Sequence, residues 1–237
     1  MTDEVGLLLG ASGGIGRACL DKLVHLTPRV LAVARSEQGL PPASERILGC
    51  AADLGTEEGR DAIVARIAEA AMPIRYVVVA SGVPYRAALS SATAADWDYV
   101  VRNNLSGPAL LLGRLLKERW TQPAAVIIIG SLAARRALPN RSLYGAVKAG
   151  LEHFARSAAV ELASRRITVN VVSAGIVDTP FLGTEIAPLR AFAETRVPLG
   201  RIAQPSEIAH LVTYLVAAPE YLTGAVIPID GGAGVLG

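Results

Sequence analysis

Short apolar, β-branched runs alternate along this chain with longer stretches whose apolar positions recur at helical spacing. The runs predict strands at residues 5–9, 30–34, 47–51, 76–80, 125–130, 168–173 and 226–229. The periodic stretches predict helices at 15–25, 57–70, 97–120, 143–164 and 206–217. Strands that alternate with helices imply βαβ units and a parallel sheet. The strand runs are apolar throughout, as expected of a sheet covered on both faces. The pattern therefore predicts an α/β fold: one doubly wound domain over residues 1–237, with a seven-stranded parallel sheet flanked by helices. The one long interval between patterns, residues 178–204, contains Pro180, Pro188 and Pro198 and is expected to form a lid over a site.

Composition sharpens this in two respects. Apolar residues make up 51 % of the chain but aromatics only 5 %, so Ala, Val, Leu and Ile must build the core. A chain of 237 residues can bury such a core without disulfides, which makes Cys19 and Cys50 reduced core thiols. The formal charge of +2, with no basic run longer than a pair, gives no groove for nucleic acid. His25, His153 and His210 are scattered, and no metal site is expected. The start of the chain is acidic and broken by glycines, unlike a secretory leader, and no segment has the apolar length of a membrane span. The expectation is a cytoplasmic protein.

The first strand runs directly into a glycine-rich turn, GASGGIG, with Gly10, Gly14 and Gly16 spaced Gly-x-x-x-Gly-x-Gly around Ser12, Gly13 and Ile15. Such a turn lets a backbone approach a pyrophosphate closely and aims a helix N-terminus at its charge, as in Rossmann folds. The second strand ends in Ala34 where a carboxylate would select an unphosphorylated ribose, and Arg35 follows. A guanidinium there can pair with a 2′-phosphate, so NADPH/NADP is the preferred cofactor, with NADH/NAD as the alternative.

Tyr144 and Lys148 stand four residues apart in a helical pattern, one turn apart on one face. An ammonium beside a phenol is expected to lower its pKa and fit it for proton transfer. Ser131 lies thirteen residues upstream at the end of a buried strand run, where its hydroxyl can hold a substrate carbonyl. Asn104 is a mid-helix amide that can hold a relay water, with Asn103 as the neighbouring alternative.

In order and spacing these motifs, with ITVNVVSAG and the closing TGAVIPIDGG, resemble the short-chain dehydrogenase/reductase family over nearly the whole chain. Within it the chain looks most like 3-oxoacyl-acyl-carrier-protein reductases and related ketoreductases. The resemblance implies Tyr144 as general acid, Lys148 on the nicotinamide ribose, Ser131 on the carbonyl and Asn104 on a relay water. It also implies cofactor contacts at Asp53, Leu54, Ala80, Ser81, Gly82, Gly175, Ile176, Val177 and Thr179. The implied substrate is a small carbonyl compound, free or linked to a carrier protein or coenzyme A. The implied assembly is a homotetramer or homodimer through 97–120, 143–164 and the last strand, with a hetero-oligomer as the variant. A secondary-alcohol dehydrogenase using NAD, or a non-catalytic sensor or partner subunit, are the other readings.

The chain departs from the family at four places. Leu9 replaces a threonine, and Val79-Ala80-Ser81-Gly82 replaces Asn-Asn-Ala-Gly, leaving Ser81 to replace a lost hydrogen bond. Ala174-Gly175 replaces Pro-Gly. Ala124 and Ala125 fill a place where carrier-protein reductases carry a basic residue, while Arg165 and Arg166 keep another. Arg135, Arg136 and Arg141, between Ser131 and Tyr144, are solvated surface charges on the plainest reading and readers of a substrate anion on the other.

Overall fold

A computed structural model describes residues 4–217 and 221–235. Its strands are β1 (Val5–Leu9), β2 (Arg29–Ala34), β3 (Ile47–Ala51), β4 (Ile74–Val79), β5 (Trp120–Ser131), β6 (Ile167–Ala174) and β7 (Val226–Ile229). They form one sheet in the order β3-β2-β1-β4-β5-β6-β7, and every pairing is parallel. The helices are α1 (Gly14–Leu23), α2 (Glu57–Ala70), α3 (Ala94–Val101), α4 (Gly107–Leu115), α5 (Ser142–Leu162), α6 (Ile186–Arg196) and α7 (Pro205–Ala217).

All residues of β1 and β6 are buried, because each strand has a helix layer on both sides. On one face, Leu8, Val78 and Ile127 pack against Cys19 and Leu23 of α1 and Ile208 and Val212 of α7. On the other, Leu7, Val77 and Val126 pack against α2, α4 and α5 through Ile63, Leu111 and Leu151. Burying each such aliphatic side chain is worth about 1.5–3 kcal/mol, so the sheet is the main source of stability. Cys19 and Cys50 are both buried free thiols, and burial pushes Cys19 up to about 12.

Two elements differ from the pattern-based expectation. The helix expected over 97–120 is broken into α3, a π-helical turn at Arg102–Ser106 and α4, which ends at Leu115. Pro108 has no N–H for the carbonyl four residues back, that of Asn104, so a regular helix cannot run through it. Trp120 is not helical: it opens β5 opposite Ile74, and its indole N–H donates to the Leu115 carbonyl at 2.8 Å, closing the end of α4. The interval 178–204 holds a helix, α6, with Pro188 in its first turn, where the ring removes no helical bond.

Candidate active site

β1 lies between β2 and β4, and the chain leaves β1 and β4 toward opposite edges of the sheet. A doubly wound sheet opens a crevice at such a switch point, beyond the carboxyl ends of the strands. There the structure has a cleft of about 670 Å³.

One wall is the glycine turn. Gly10 has φ +85° and a Cβ on it would lie 2.6 Å from the Ser81 amide nitrogen, so only glycine fits. The amides of Gly10 and Ala11 donate to the Val33 carbonyl at 3.0 and 2.9 Å, which ties the turn to β2. Gly16 lies beneath the turn and outside the cleft: a Cβ there would meet the Gly10 carbonyl oxygen at 2.0 Å. Gly14 is pressed against Thr179, whose Cγ2 would be 2.5 Å from an added Cβ. Gly13, the N-cap of α1, has open space on its Cβ side apart from the Gly10 carbonyl oxygen at 3.5 Å, and no side chain caps the helix. Unfilled N–H groups beside an open glycine shelf make a seat for an anion.

Ser12, Gly13, Gly14, Ile15, Arg35, Asp53, Leu54, Ala80, Ser81 and Gly82 line this half of the cleft with Gly10, and Gly175, Ile176, Val177 and Thr179 line its floor. Arg35 is exposed at the rim. Asp53 accepts from the Gly55 amide at 2.8 Å, which fixes the carboxylate at the end of β3. Ser81 does not replace the lost asparagine bond, since its buried hydroxyl oxygen has no hydrogen-bond partner among the described residues. These features fit a dinucleotide: a glycine shelf at an uncapped helix start, a basic rim and an orphaned hydroxyl.

The inner wall carries the chemistry. Ser131 ends β5, and its hydroxyl accepts from the Ala133 amide at 3.2 Å. Tyr144, 7 % exposed, comes from the first turn of α5. Its phenol is pushed up to about 12 by burial, against opposing influences from the Ser131 hydrogen bond and the Arg141 charge. Lys148 is buried one turn later, its Nζ 5.8 Å from the Tyr144 ring centroid and donating to the Ile129 carbonyl at 3.0 Å. The expected lowering of the phenol pKa by Lys148 is therefore not what the protein alone produces. Burial dominates both groups, and it pushes Lys148 down to about 8, with Glu152 opposing.

Asn104 is fully buried and serves the backbone: its side-chain amide donates to the Val83 and Val100 carbonyls at 3.2 and 3.0 Å and accepts from the Val83 amide at 3.1 Å. The side chain thus clamps the loop after β4, with both of its N–H donors used on backbone carbonyls. Asn103 donates to the Tyr99 carbonyl and lines the cleft.

The sequence reading did not foresee how the three arginines would divide or what would cover Tyr144. Arg135 turns away to Glu152, 3.7 Å off, whereas Arg136 and Arg141 line the cleft with Arg86. Phe181 sits over the tyrosine, ring centroids 6.4 Å apart, and Leu182, Leu189 and Phe192 continue the apolar wall. Only their place in a segment following a strand end pointed to them. Among the described residues no group of three or more His, Cys, Asp or Glu could hold a metal ion, and no helix is long and apolar enough to cross a membrane.

A family profile described as enoyl-(acyl carrier protein) reductase matches residues 10–234. Carbonyl reductase family member 4 of Danio rerio is 30 % identical over 240 residues, covering 98 % of this chain and 99 % of its own. The 3-oxoacyl-acyl-carrier-protein reductase FabG of Pseudomonas aeruginosa is 33 % identical over 242 residues, covering 97 % and 96 %. Among solved structures, a short-chain dehydrogenase/reductase from Brucella melitensis, described as a glucose/ribitol dehydrogenase, superposes with a TM-score of 0.92 at 28 % identity, covering 98 % and 97 %.

Proposed function

Because the chain belongs to the short-chain dehydrogenase/reductase family, and is an NAD(P)-dependent oxidoreductase, we propose that it reduces a carbonyl to a secondary alcohol, with NADPH as donor. Relatives named as a carbonyl reductase and a 3-oxoacyl-acyl-carrier-protein reductase support a 3-oxoacyl thioester or a similar ketone as substrate. The observation that carries this reading is the placement of the Tyr144 phenol. Buried in the cleft wall beside Ser131, it stands where it can give its proton to a carbonyl oxygen.

When bound, the reduced nicotinamide supplies the hydride that the carbonyl carbon accepts. The glycine turn would seat the pyrophosphate, Asp53 the adenine, and Arg35 a 2′-phosphate. Ser131 holds the carbonyl oxygen and Tyr144 protonates it. Lys148, titrating at about 8, exchanges protons close to neutrality and stabilises the phenolate left behind. The relay water falls to the Asn104 carbonyl, which Pro108 cannot engage, while the Asn104 side chain holds Val83 and Val100 in place. Residues 178–204 act as a lid. Half-exposed Leu110 of α4 and strongly exposed Val160 of α5 suit a homo-oligomer built on those helices.

Consumption of NADPH with acetoacetyl-CoA and a panel of ketones tests this reading. Turnover is expected for the native protein and a loss of at least about a hundredfold for Tyr144→Phe, with cofactor affinity nearly intact. An active Tyr144→Phe protein removes the phenol from the mechanism. Tight cofactor binding without turnover of any ketone favours a sensor or partner subunit.

A further inference from the structure

Beyond Tyr144 the cleft is walled by apolar side chains, Leu138, Phe181 and Phe192 among them, and by Arg86, Arg136 and Arg141. No carboxylate answers the arginines inside the cleft: among the described residues Asp53 is its sole acidic lining residue, and it stands in the other half. The three charges are met differently. Arg86 pairs with Glu185. Arg136 donates to the Ala233 carbonyl at 2.5 Å, and Arg141 donates to the Tyr85 carbonyl at 2.9 Å.

Arg136 and Arg141 each meet a single neutral carbonyl among the described residues, and Arg141 is the one that stands beside Tyr144. Its guanidinium is half-buried and has a single neutral acceptor for five N–H donors among the described residues. Burial lowers its pKa, Tyr144 opposes and Arg86 adds to the lowering. Its central carbon lies 6.0 Å from the Tyr144 ring centroid. A charge withdrawn from water beside another cation gains from a partner carboxylate, and a guanidinium fork is shaped to take one in bidentate fashion.

We propose that Arg141 reads a carboxylate on the substrate, so that this protein reduces small keto acids whose ketone lies between Ser131 and Tyr144. The inference rests on the carbonyl-reduction reading above and narrows it. Position decides the source of the anion. Arg141 stands beside the reacting phenol, so the anion must be a few bonds from the carbonyl, as in a keto acid. The phosphates of a coenzyme A or carrier arm lie many bonds away.

The test compares kcat/KM, with NADPH, for oxo acids whose ketone is two to four carbons from the carboxylate, each beside its methyl ester, and for acetoacetyl-CoA. At one spacing or more the acid should exceed its ester by about tenfold, chiefly through KM, since the ester cannot offer the charged acceptor that a guanidinium takes. Arg141→Gln should bring that ratio below about threefold, and Arg141→Lys should restore part of it. The ratio cancels whatever Arg141 does to Tyr144 itself, because that acts on acid and ester alike, and the native ratio needs no variant to fold. Acids no better than esters at every spacing, or a ratio that survives Arg141→Gln, overturns the carboxylate site while leaving the reductase reading standing. A thioester preferred over every acid overturns it too and assigns the charge to the carrier arm. Turnover of none of these nor of any neutral ketone sinks the reductase reading, and this inference with it.

Discussion

The two halves of the cleft are made differently. The dinucleotide half is built mainly from backbone: a glycine turn tied to β2 by two amides, an uncapped start of α1, and the loop after β4, clamped at Val83 by Asn104. The substrate half is built from side chains on the segments after β5 and β6, where Phe181, Leu182 and Phe192 face Arg136 and Arg141. Backbone walls leave little room for substitution, whereas side-chain walls can be rebuilt residue by residue. On the function proposed above, the fold would fix the cofactor and leave the substrate to two loops. Gly14 of the turn meets Thr179, at the start of the segment that carries Phe181 and Phe192.

That contact offers the sharpest way to break the comparison. An added methyl at Gly16 would stand 2.0 Å from the Gly10 carbonyl oxygen, a backbone atom with nowhere to go. Gly16→Ala should cost on the order of 3 kcal/mol or more and abolish cofactor binding. Gly14→Ala instead meets the Thr179 methyl at 2.5 Å and its Cβ at 2.9 Å; the methyl can turn away, and the Cβ needs only a small shift of the segment after β6. It should weaken binding about tenfold, and Thr179→Ser in the same chain should recover part of the loss. Fluorescence titration with NADPH and thermal unfolding measure both. Equal damage from the two alanines would mean that the turn is not the rigid member.

The backbone half was also the legible one. The bounds of β1, β3 and β7 coincide with their apolar runs: β1 is buried throughout, and the part-exposed edge strands β3 and β7 are apolar all the same. Glycine spacing announced the turn, since steric exclusion acts on residue type directly. Side-chain direction left no such trace. Arg135 and Arg136 are neighbours in sequence, yet one turns to Glu152 and the other lines the cleft. The helix expected over 97–120 fails for two reasons: Pro108 interrupts it locally, and pairing with Ile74 draws Trp120 into the sheet. α6 went unseen because Ala193 alone of its residues is buried, so its apolar side chains carry no core-facing period.

Lys148 stands where the halves meet, and its burial has a sign that can be checked. Its pKa falls from 10.5 to about 8, chiefly through desolvation, so between those values the unfolded chain holds a proton that the folded one has released. Stability then rises with pH across that window, and the full penalty applies below about 8. At about 1.4 kcal/mol per pH unit the penalty approaches about 3 kcal/mol. Orphaning the Ile129 carbonyl, which Lys148 now satisfies, costs about 1 kcal/mol. Lys148→Met should therefore stabilise the cofactor-free protein by about 1–2 kcal/mol at pH 7, a Tm rise of about 2–6 °C, while removing activity. The gain should shrink as pH approaches 10. Thermal unfolding at pH 7 and 9.5 decides, and a variant less stable at pH 7 would show that the ammonium is compensated in the fold.

The smallest expected effect lies at the rim of the backbone half, where a side chain does the reading. Arg35 is exposed at the end of β2 and follows Ala34, so nothing acidic there opposes a 2′-phosphate. One exposed charge-assisted pair contributes about 1–1.5 kcal/mol, so Arg35→Ala should lower the ratio of kcat/KM for NADPH over NADH by about tenfold. The loss should be steeper at low ionic strength, because salt screens a pair at the rim far more than one inside the cleft. An unchanged ratio would place the selection of the phosphate elsewhere, within the backbone shelf itself. The division between a backbone-defined cofactor half and a side-chain-defined substrate half would then extend to the edge of the cleft without exception.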